Sequence, residues 1–313
     1  MQDAPVPPNP KELGWVQWGR DYEAAEERAR TSGKPIFLLF QEVPGCSTCV
    51  GFGESVLSHP LLVEAIESEF VPLAIHNNKS GADSEVLARF SEPEWNNPVV
   101  RLVDEAGADL LPRVDGVWST HEIATRMVDA LTAHGRDVPD YLRWVVTETA
   151  PAKRATFAMG CYWRGEACLG DLPGVVATTA GSLGGREVVE VSFDRDVTDE
   201  ATLRHAAESR ECGDFVARAR PAREASDADR KYYLSKTAWR HMPLTPMQAS
   251  RVNAALGRGE DPLAWVSPQQ RALFKRVAEA PPQQLVGLAP PESAQKLASY
   301  QQALVSHLSQ RPR

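Results

Sequence analysis

Five cysteines carry most of the chemical potential of this chain: Cys46, Cys49, Cys161, Cys168 and Cys212. Two of them stand three apart in VPGCSTC, directly after the apolar run PIFLLFQE. A thiolate attacks disulfides and a neutral thiol hardly does. A Cys-x-x-Cys pair at a helix N-terminus favours the thiolate, because the helix dipole and unpaired N–H groups stabilise the charge. Cys46 comes first and is the expected attacker. Cys49 returns on the same helical turn and resolves a mixed disulfide formed at Cys46. A zinc site would need two further ligands, and His59 and His76 stand alone. A soft metal such as Cu(I) held between the two thiols is a rival reading, and two inert thiols are another. Cys161 falls between an expected strand and an expected helix, a second place where a thiol can be activated.

The elements around these residues follow from apolar periodicity and from the residues that stop it. Residues 1–12 read as a flexible, Pro-rich tail. Asp21–Ser32 reads as a polar amphipathic helix stopped by Gly33 and Pro35, and Pro35–Phe40 as a buried strand. Ser55–Phe70 reads as helix broken at Pro60, and Val71–Ile75 as a second strand. A short helix at Ser84–Phe90 precedes a third strand, Pro98–Val103, and a fourth around Asp109–Leu111. Thr120–His134 and Tyr141–Glu148 are expected helices, with a linker over Thr149–Arg154. Then come strand Ala155–Met159, a helix from about Cys161, strand Val175–Ala180, a Gly-rich turn over Gly181–Gly185, strand Glu187–Phe193 and helix Thr198–Ser209. The remainder is helical, with Thr245-Pro246 and Ser267-Pro268 each offering an N-cap followed by Pro at the first helical position.

The order helix, strand, Cys-x-x-Cys, helix, strand, helix, strand, strand, helix resembles the thioredoxin superfamily over roughly 13–135. The opening Trp-containing segment and the GKP strand carry that resemblance, and VPGC is similar to a group whose first redox position is Cys or selenocysteine. The resemblance implies a cis peptide at Asn97-Pro98, with Pro98 facing the redox site and contributing to substrate binding. A second segment, ATFAMGCYWRGEACLGDLPGVVATTAGSLGGREVVEVSFD, resembles methionine sulfoxide reductase A over roughly 155–203. It implies that Cys161 attacks the sulfoxide sulfur, that Tyr162 and Trp163 hold the substrate methyl group, and that Glu187 protonates the sulfoxide oxygen. That role suits a carboxyl held neutral in an apolar pocket.

Oxygen transfer leaves a sulfenic acid that a second thiol condenses into a disulfide. Cys168 lies seven residues on, about 10 Å of helical rise, beyond the ~7 Å that a disulfide spans, and so reads as a packed helix thiol. Cys212, beside Gly213, is the better resolving candidate, with an idle thiol an equal reading and Cys46 a third route. The chain departs from the family at the Gly-rich turn, where Ser182 replaces a Tyr, and it lacks the downstream Asp and Tyr that help to hold the sulfoxide. Tyr232, Tyr233, Trp239, Arg240 and His241 could rebuild that cradle, or simply pack.

The expected fold class is therefore α/β: a thioredoxin-like domain, then a small α/β methionine sulfoxide reductase A-like domain with a helical C-terminal extension. The divisions are a tail at 1–12, the first domain at 13–135, helix and linker at 136–153, the second domain at 154–225 and the extension at 226–313. The 313 residues suit two domains. A net charge of −8 argues against general nucleic-acid or anionic-membrane binding. No apolar run suggests membrane insertion, and neither motif requires an organic cofactor. The start lacks a signal peptide, so the default expectation is cytoplasmic, although it also suits a mature exported chain. The leading expectation is a thiol-dependent oxidoreductase in which the Cys46/Cys49 site supplies electrons to Cys161, with methionine sulfoxide or a related oxidised sulfur compound as substrate and an external thiol as reductant. The alternatives are a thiol–disulfide oxidoreductase whose second domain has lost sulfoxide chemistry, or a soft-metal or partner-binding thiol module.

Overall fold

A computed structural model of the chain describes residues 9–217 and 221–309. Residues 1–8 of the expected tail, Arg218–Arg220 and residues 310–313 lie outside it. The chain forms two compact units: Met1–Val146 with Ser293–Ala303, and Thr147–Glu292 with Leu304–Arg313.

The first unit is built on a three-stranded sheet. Its elements are α1 (Tyr22–Ser32), β1 (Ile36–Gln41), α2 (Ser47–Ser55), α3 (Pro60–Glu69), β2 (Val71–His76), α4 (Ala82–Arg89), β3 (Val99–Val103), α5 (Thr120–Ala133) and the start of α6 (Asp140–Thr149). β1 is central, parallel to β2 and antiparallel to β3. Every residue of β1 is buried, because both faces of the sheet are covered. Phe37 and Leu39 point into one core with α2, α3, α5 and α6. Ile36, Leu38 and Phe40 point into another with α1 and α4. This explains an unbroken apolar run where a half-exposed strand would alternate. Asp21 caps α1 by accepting the Ala24 N–H, and Gly33, at φ 62°, closes it in the left-handed conformation.

Two expectations for this unit need correction. Asp109–Leu111 makes one bridge, Val103 to Asp109, and no fourth strand; Pro112 directly after it has no N–H to extend the pairing. Lys11 and Glu12, placed in the flexible tail, belong to a 3-10 turn, Lys11–Leu13, in which Glu12 is buried. It packs on α2 at Gly53, where a Cβ would sit 2.0 Å from the Lys11 carbonyl oxygen.

The second unit holds a five-stranded antiparallel sheet in the order β7-β4-β6-β5-β8. Its elements are β4 (Ala152–Ala158), α7 (Tyr162–Leu169), β5 (Val175–Leu183), β6 (Arg186–Asp194), α8 (Glu200–Ser209), β7 (Asp214–Phe215), β8 (Arg223–Glu224), α9 (Tyr232–Ser235), α10 (Pro246–Arg258) and α11 (Pro268–Glu279), followed by α12 (Ala294–Ser309), which both units share. Half of the expected linker at Thr149–Arg154 is strand: α6 ends at Thr149 and β4 starts at Ala152, opposite Asp194. Its exposed Lys153 and Arg154 hide it from a hydrophobic pattern. Phe157, Val189 and Val191 of the sheet pack with Leu169 of α7 and with Leu203 and Ala207 of α8. The expected capping residues of α10 and α11 form full capping boxes, Thr245 with Gln248 and Ser267 with Gln270.

α10 lies against α7 and β5. Ser250 Oγ accepts the Thr178 N–H at 3.1 Å, and a Cβ on Gly257 would meet the Ala167 side chain at 2.6 Å. The fully buried Glu166 of α7 binds Lys231 twice, accepting the backbone N–H at 2.8 Å and the ammonium at 2.6 Å. Among the described residues, no helix is long and apolar enough to cross a membrane.

Candidate active site

Cys46 is the N-cap of α2, in extended conformation, with an exposed side chain. β1 delivers the chain to this point, and Gly45 lets it turn tightly: a Cβ there would sit 2.3 Å from the Glu42 carbonyl oxygen and 2.7 Å from the Cys49 Cβ. One helical turn later Cys49 is fully buried. The two sulfurs are 3.6 Å apart and both thiols are free. Burial pushes the Cys49 thiol up to about 11. The Cys46 thiol moves the other way: the backbone N–H of Cys49, at the start of the helix, holds it below the ordinary cysteine value. The geometry therefore gives an exposed sulfur disposed to ionise beside a buried one that stays protonated until needed.

The surroundings of the pair come from distant segments. Asn97 Oδ1 accepts the Cys49 S–H at 2.8 Å. Glu12 Oε1 accepts the Gly45 N–H at 2.8 Å, and Gln41 Nε2 donates to the Glu12 and Cys49 carbonyl oxygens. The Asn97–Pro98 peptide is cis, as the resemblance implies, and Val43–Pro44 is cis as well. Pro98 is buried and its carbonyl oxygen accepts the indole N–H of Trp118. Glu12 and the contact of the Asn97 side chain with Cys49 carry no local sequence signal that links them to the thiols; only the fold does. Among the described residues one group has metal-ligand proximity: Glu42, Cys46 and Cys49, whose donor atoms lie within 4.8 Å of one another. Two thiolates and one carboxylate would suit a soft or borderline cation.

Cys161 is also a helix N-cap, that of α7, and is a free, half-buried thiol. Glu187 on β6 accepts the Tyr162 N–H at 2.7 Å, which places this carboxylate at the start of the helix that Cys161 caps. Glu187 is exposed, however, and lines a polar cavity of about 1000 Å³ with Cys161, Arg164, Arg186, Glu208 and Glu211. The lining is therefore mixed and rich in charged side chains, where the resemblance implies an apolar pocket. Tyr162 and Trp163 do not line that cavity. Trp163 is stacked instead on Tyr232 of α9, with ring centroids 3.9 Å apart and planes 14° from parallel. Of the extension's candidates Tyr232 thus reaches the aromatic pair. Trp239 stacks on Phe274, and Arg240 donates to His241, whose other ring nitrogen lies 2.8 Å from the Leu288 carbonyl oxygen.

The remaining cysteines need a correction. Cys168 is bonded to Cys212, with Cα atoms 6.4 Å apart. Cys168 is therefore no idle helix thiol, and Cys212 is not free to resolve Cys161 in this state. Cys161 and Cys168 lie at opposite ends of α7, and the turn after α8 brings Cys212 back to the C-terminal end, within bonding reach of Cys168.

Residues 15–105 match the model of a thioredoxin-like family. No curated protein matches the chain. Among solved structures the chain is similar to one described as a DsbH oxidoreductase, with 17% identity, 40% of this chain and 90% of that chain covered, and a TM-score of 0.32. The first unit contains a thioredoxin-like domain. Its Cys-x-x-Cys is the Cys46/Cys49 pair.

Proposed function

We propose that the chain is a thiol–disulfide oxidoreductase whose reacting pair is Cys46 and Cys49. The observation that carries this reading is the split between the two thiols: an exposed Cys46 held low at a helix N-terminus, 3.6 Å from a buried Cys49 pushed up to about 11. The Cys46 thiolate attacks a substrate disulfide, forms a mixed disulfide and expels one substrate thiolate. Cys49 loses its proton, attacks the Cys46 sulfur and releases the second substrate thiolate. The enzyme is left with a Cys46–Cys49 disulfide, which an external dithiol reduces. The test is turnover of a protein disulfide in the presence of such a reductant. Cys46→Ser is expected to abolish turnover, and Cys49→Ser to accumulate the mixed disulfide at Cys46. Full turnover by Cys46→Ser would overturn the reading.

A second reading extends the first to Cys161, supported by the Tyr162 N–H to Glu187 hydrogen bond that joins the expected nucleophile's helix to the expected acid. Cys161 would take the oxygen of methionine sulfoxide or a related oxidised sulfur compound, leaving the sulfide and a Cys161 sulfenic acid. A thiol then condenses with the sulfenic acid, releasing water, and the resulting disulfide draws its two electrons ultimately from the Cys46/Cys49 dithiol. In this reading Cys212 becomes a resolving thiol only after the Cys168–Cys212 bond is reduced. Sulfoxide turnover that is lost in Cys161→Ser supports it; absence of turnover with both free and peptide-bound sulfoxide removes it and leaves the first reading intact.

A further inference from the structure

Five large hydrophobic side chains are exposed among the described residues, and three of them, Trp95, Val114 and Trp118, fall on two loops beside the dithiol. Trp95 is 82% exposed and offers an indole face to solvent. The loop that carries it runs from Glu92 to Asn97 and ends on the side chain that accepts the Cys49 S–H.

The two loops are fixed to each other. Arg113 makes a two-point ion pair with the buried Glu92, at 2.6 and 2.8 Å. Asn96 donates to Asp115 at 2.6 Å, and Trp118 donates to the Pro98 carbonyl oxygen at 3.2 Å. The tryptophans therefore stand on a braced platform. Two carboxylates supply negative charge at its rim: Glu94 is exposed, and a Glu42 oxygen lies within 4.8 Å of both sulfurs. Arg113 bonds Glu92 and Asp115 at once, so these three charges are committed to one another.

We propose that this platform docks a partner polypeptide whose disulfide is flanked by lysine or arginine. The chemistry matches on both counts: an indole face attracts a cation, and exposed carboxylates steer and hold basic chains. The indoles grip the aliphatic stems and cationic heads of the partner's flanking residues, while Cys46 meets the partner's sulfur. The inference rests on the dithiol reading and names its substrate class.

The experiment measures kcat/KM of the full chain, with an external dithiol as reductant, on three disulfides: a cyclic peptide disulfide flanked by Lys, the same peptide with Glu in those positions, and a small uncharged aromatic disulfide. The Lys peptide is expected to be preferred over the Glu peptide by about tenfold or more at low salt, with the preference shrinking as salt rises. Trp95→Ala is expected to lower kcat/KM on the Lys peptide several-fold more than on the small disulfide, chiefly through KM. Glu94→Lys is expected to reverse the peptide preference or erase it. Both side chains are exposed, so neither substitution removes a core contact. Turnover of all three disulfides with no preference between the peptides, or equal losses in Trp95→Ala on peptide and small disulfide, overturns this inference and leaves the dithiol reading standing. Failure to turn over any of the three overturns both. A concentration-dependent dimer that Trp95→Ala dissociates would make a second copy the occupant and would also overturn it.

Discussion

Cys46 and Cys161 occupy equivalent local positions: each is the N-cap of a helix that follows a strand. Yet only Cys46 has a thiol one turn further on. The corresponding place in α7 is held by the exposed Arg164, and the next sulfur, Cys168, is bonded to Cys212. The comparison separates two requirements for a redox centre. A helix N-terminus favours the thiolate, but cycling requires a second sulfur within bonding reach. The first site has both within nine residues of helix. The second has a free thiol, a carboxylate and a polar cavity, and no second free sulfur among the described residues of its helix.

The largest effect should come from breaking the first site. Cys46→Ser is expected to lower disulfide turnover by at least ~10³-fold, while Cys161→Ser leaves it within about twofold. Equal losses in both variants would dissolve the distinction between the two centres. Next in size is the anchor of the second unit. Glu166→Ala leaves the half-buried Lys231 ammonium without its carboxylate, held only by the Thr178 carbonyl and hydroxyl, and is expected to cost about 3 kcal/mol in urea unfolding. A loss below about 1 kcal/mol would mean that Lys231 finds water instead.

Smaller effects probe the electrostatics. Asn97→Ala removes an acceptor that favours the neutral Cys49 thiol, so the Cys49 value should fall from about 11. Resolution should quicken by up to about fivefold at neutral pH, read as a shorter-lived mixed disulfide in rapid-quench experiments. The subtlest test is pH. Because the helix end lowers the Cys46 value, alkylation at Cys46 should rise with pH through a midpoint below the ~8.5 of a free cysteine, and Cys49 should react only near pH 11. Mass spectrometry resolved by peptide separates the two and reports Cys161 in the same sample. A Cys46 midpoint at or above that of a free cysteine would show that the helix end does not activate this thiol.

Much of the fold could be read from local pattern. The run IFLLFQ has no polar alternation because both faces of β1 are covered, and the Ser/Thr-Pro pairs at 245 and 267 mark helix starts because their hydroxyls satisfy orphan N–H groups. The strand expected at Ala155–Met159 is present, but its first three residues were hidden by the exposed Lys153 and Arg154, and Glu12 by the Pro-rich residues before it. Neither can be placed without the partner that fixes it: β6 in one case, Gly53 and Gly45 in the other.

By itself the sequence determined the thiols, their spacing and the helix starts that activate them, because those depend on residues within one turn of each other. Tertiary structure alone decided the rest. It put Asn97 on the Cys49 sulfur, joined Cys168 to Cys212 across 44 residues, laid Tyr232 on Trp163, and left Glu187 in a polar cavity rather than an apolar one. Those are contacts between segments far apart in the chain, and their partners are chosen by how sheets and helices pack, which no local spacing encodes.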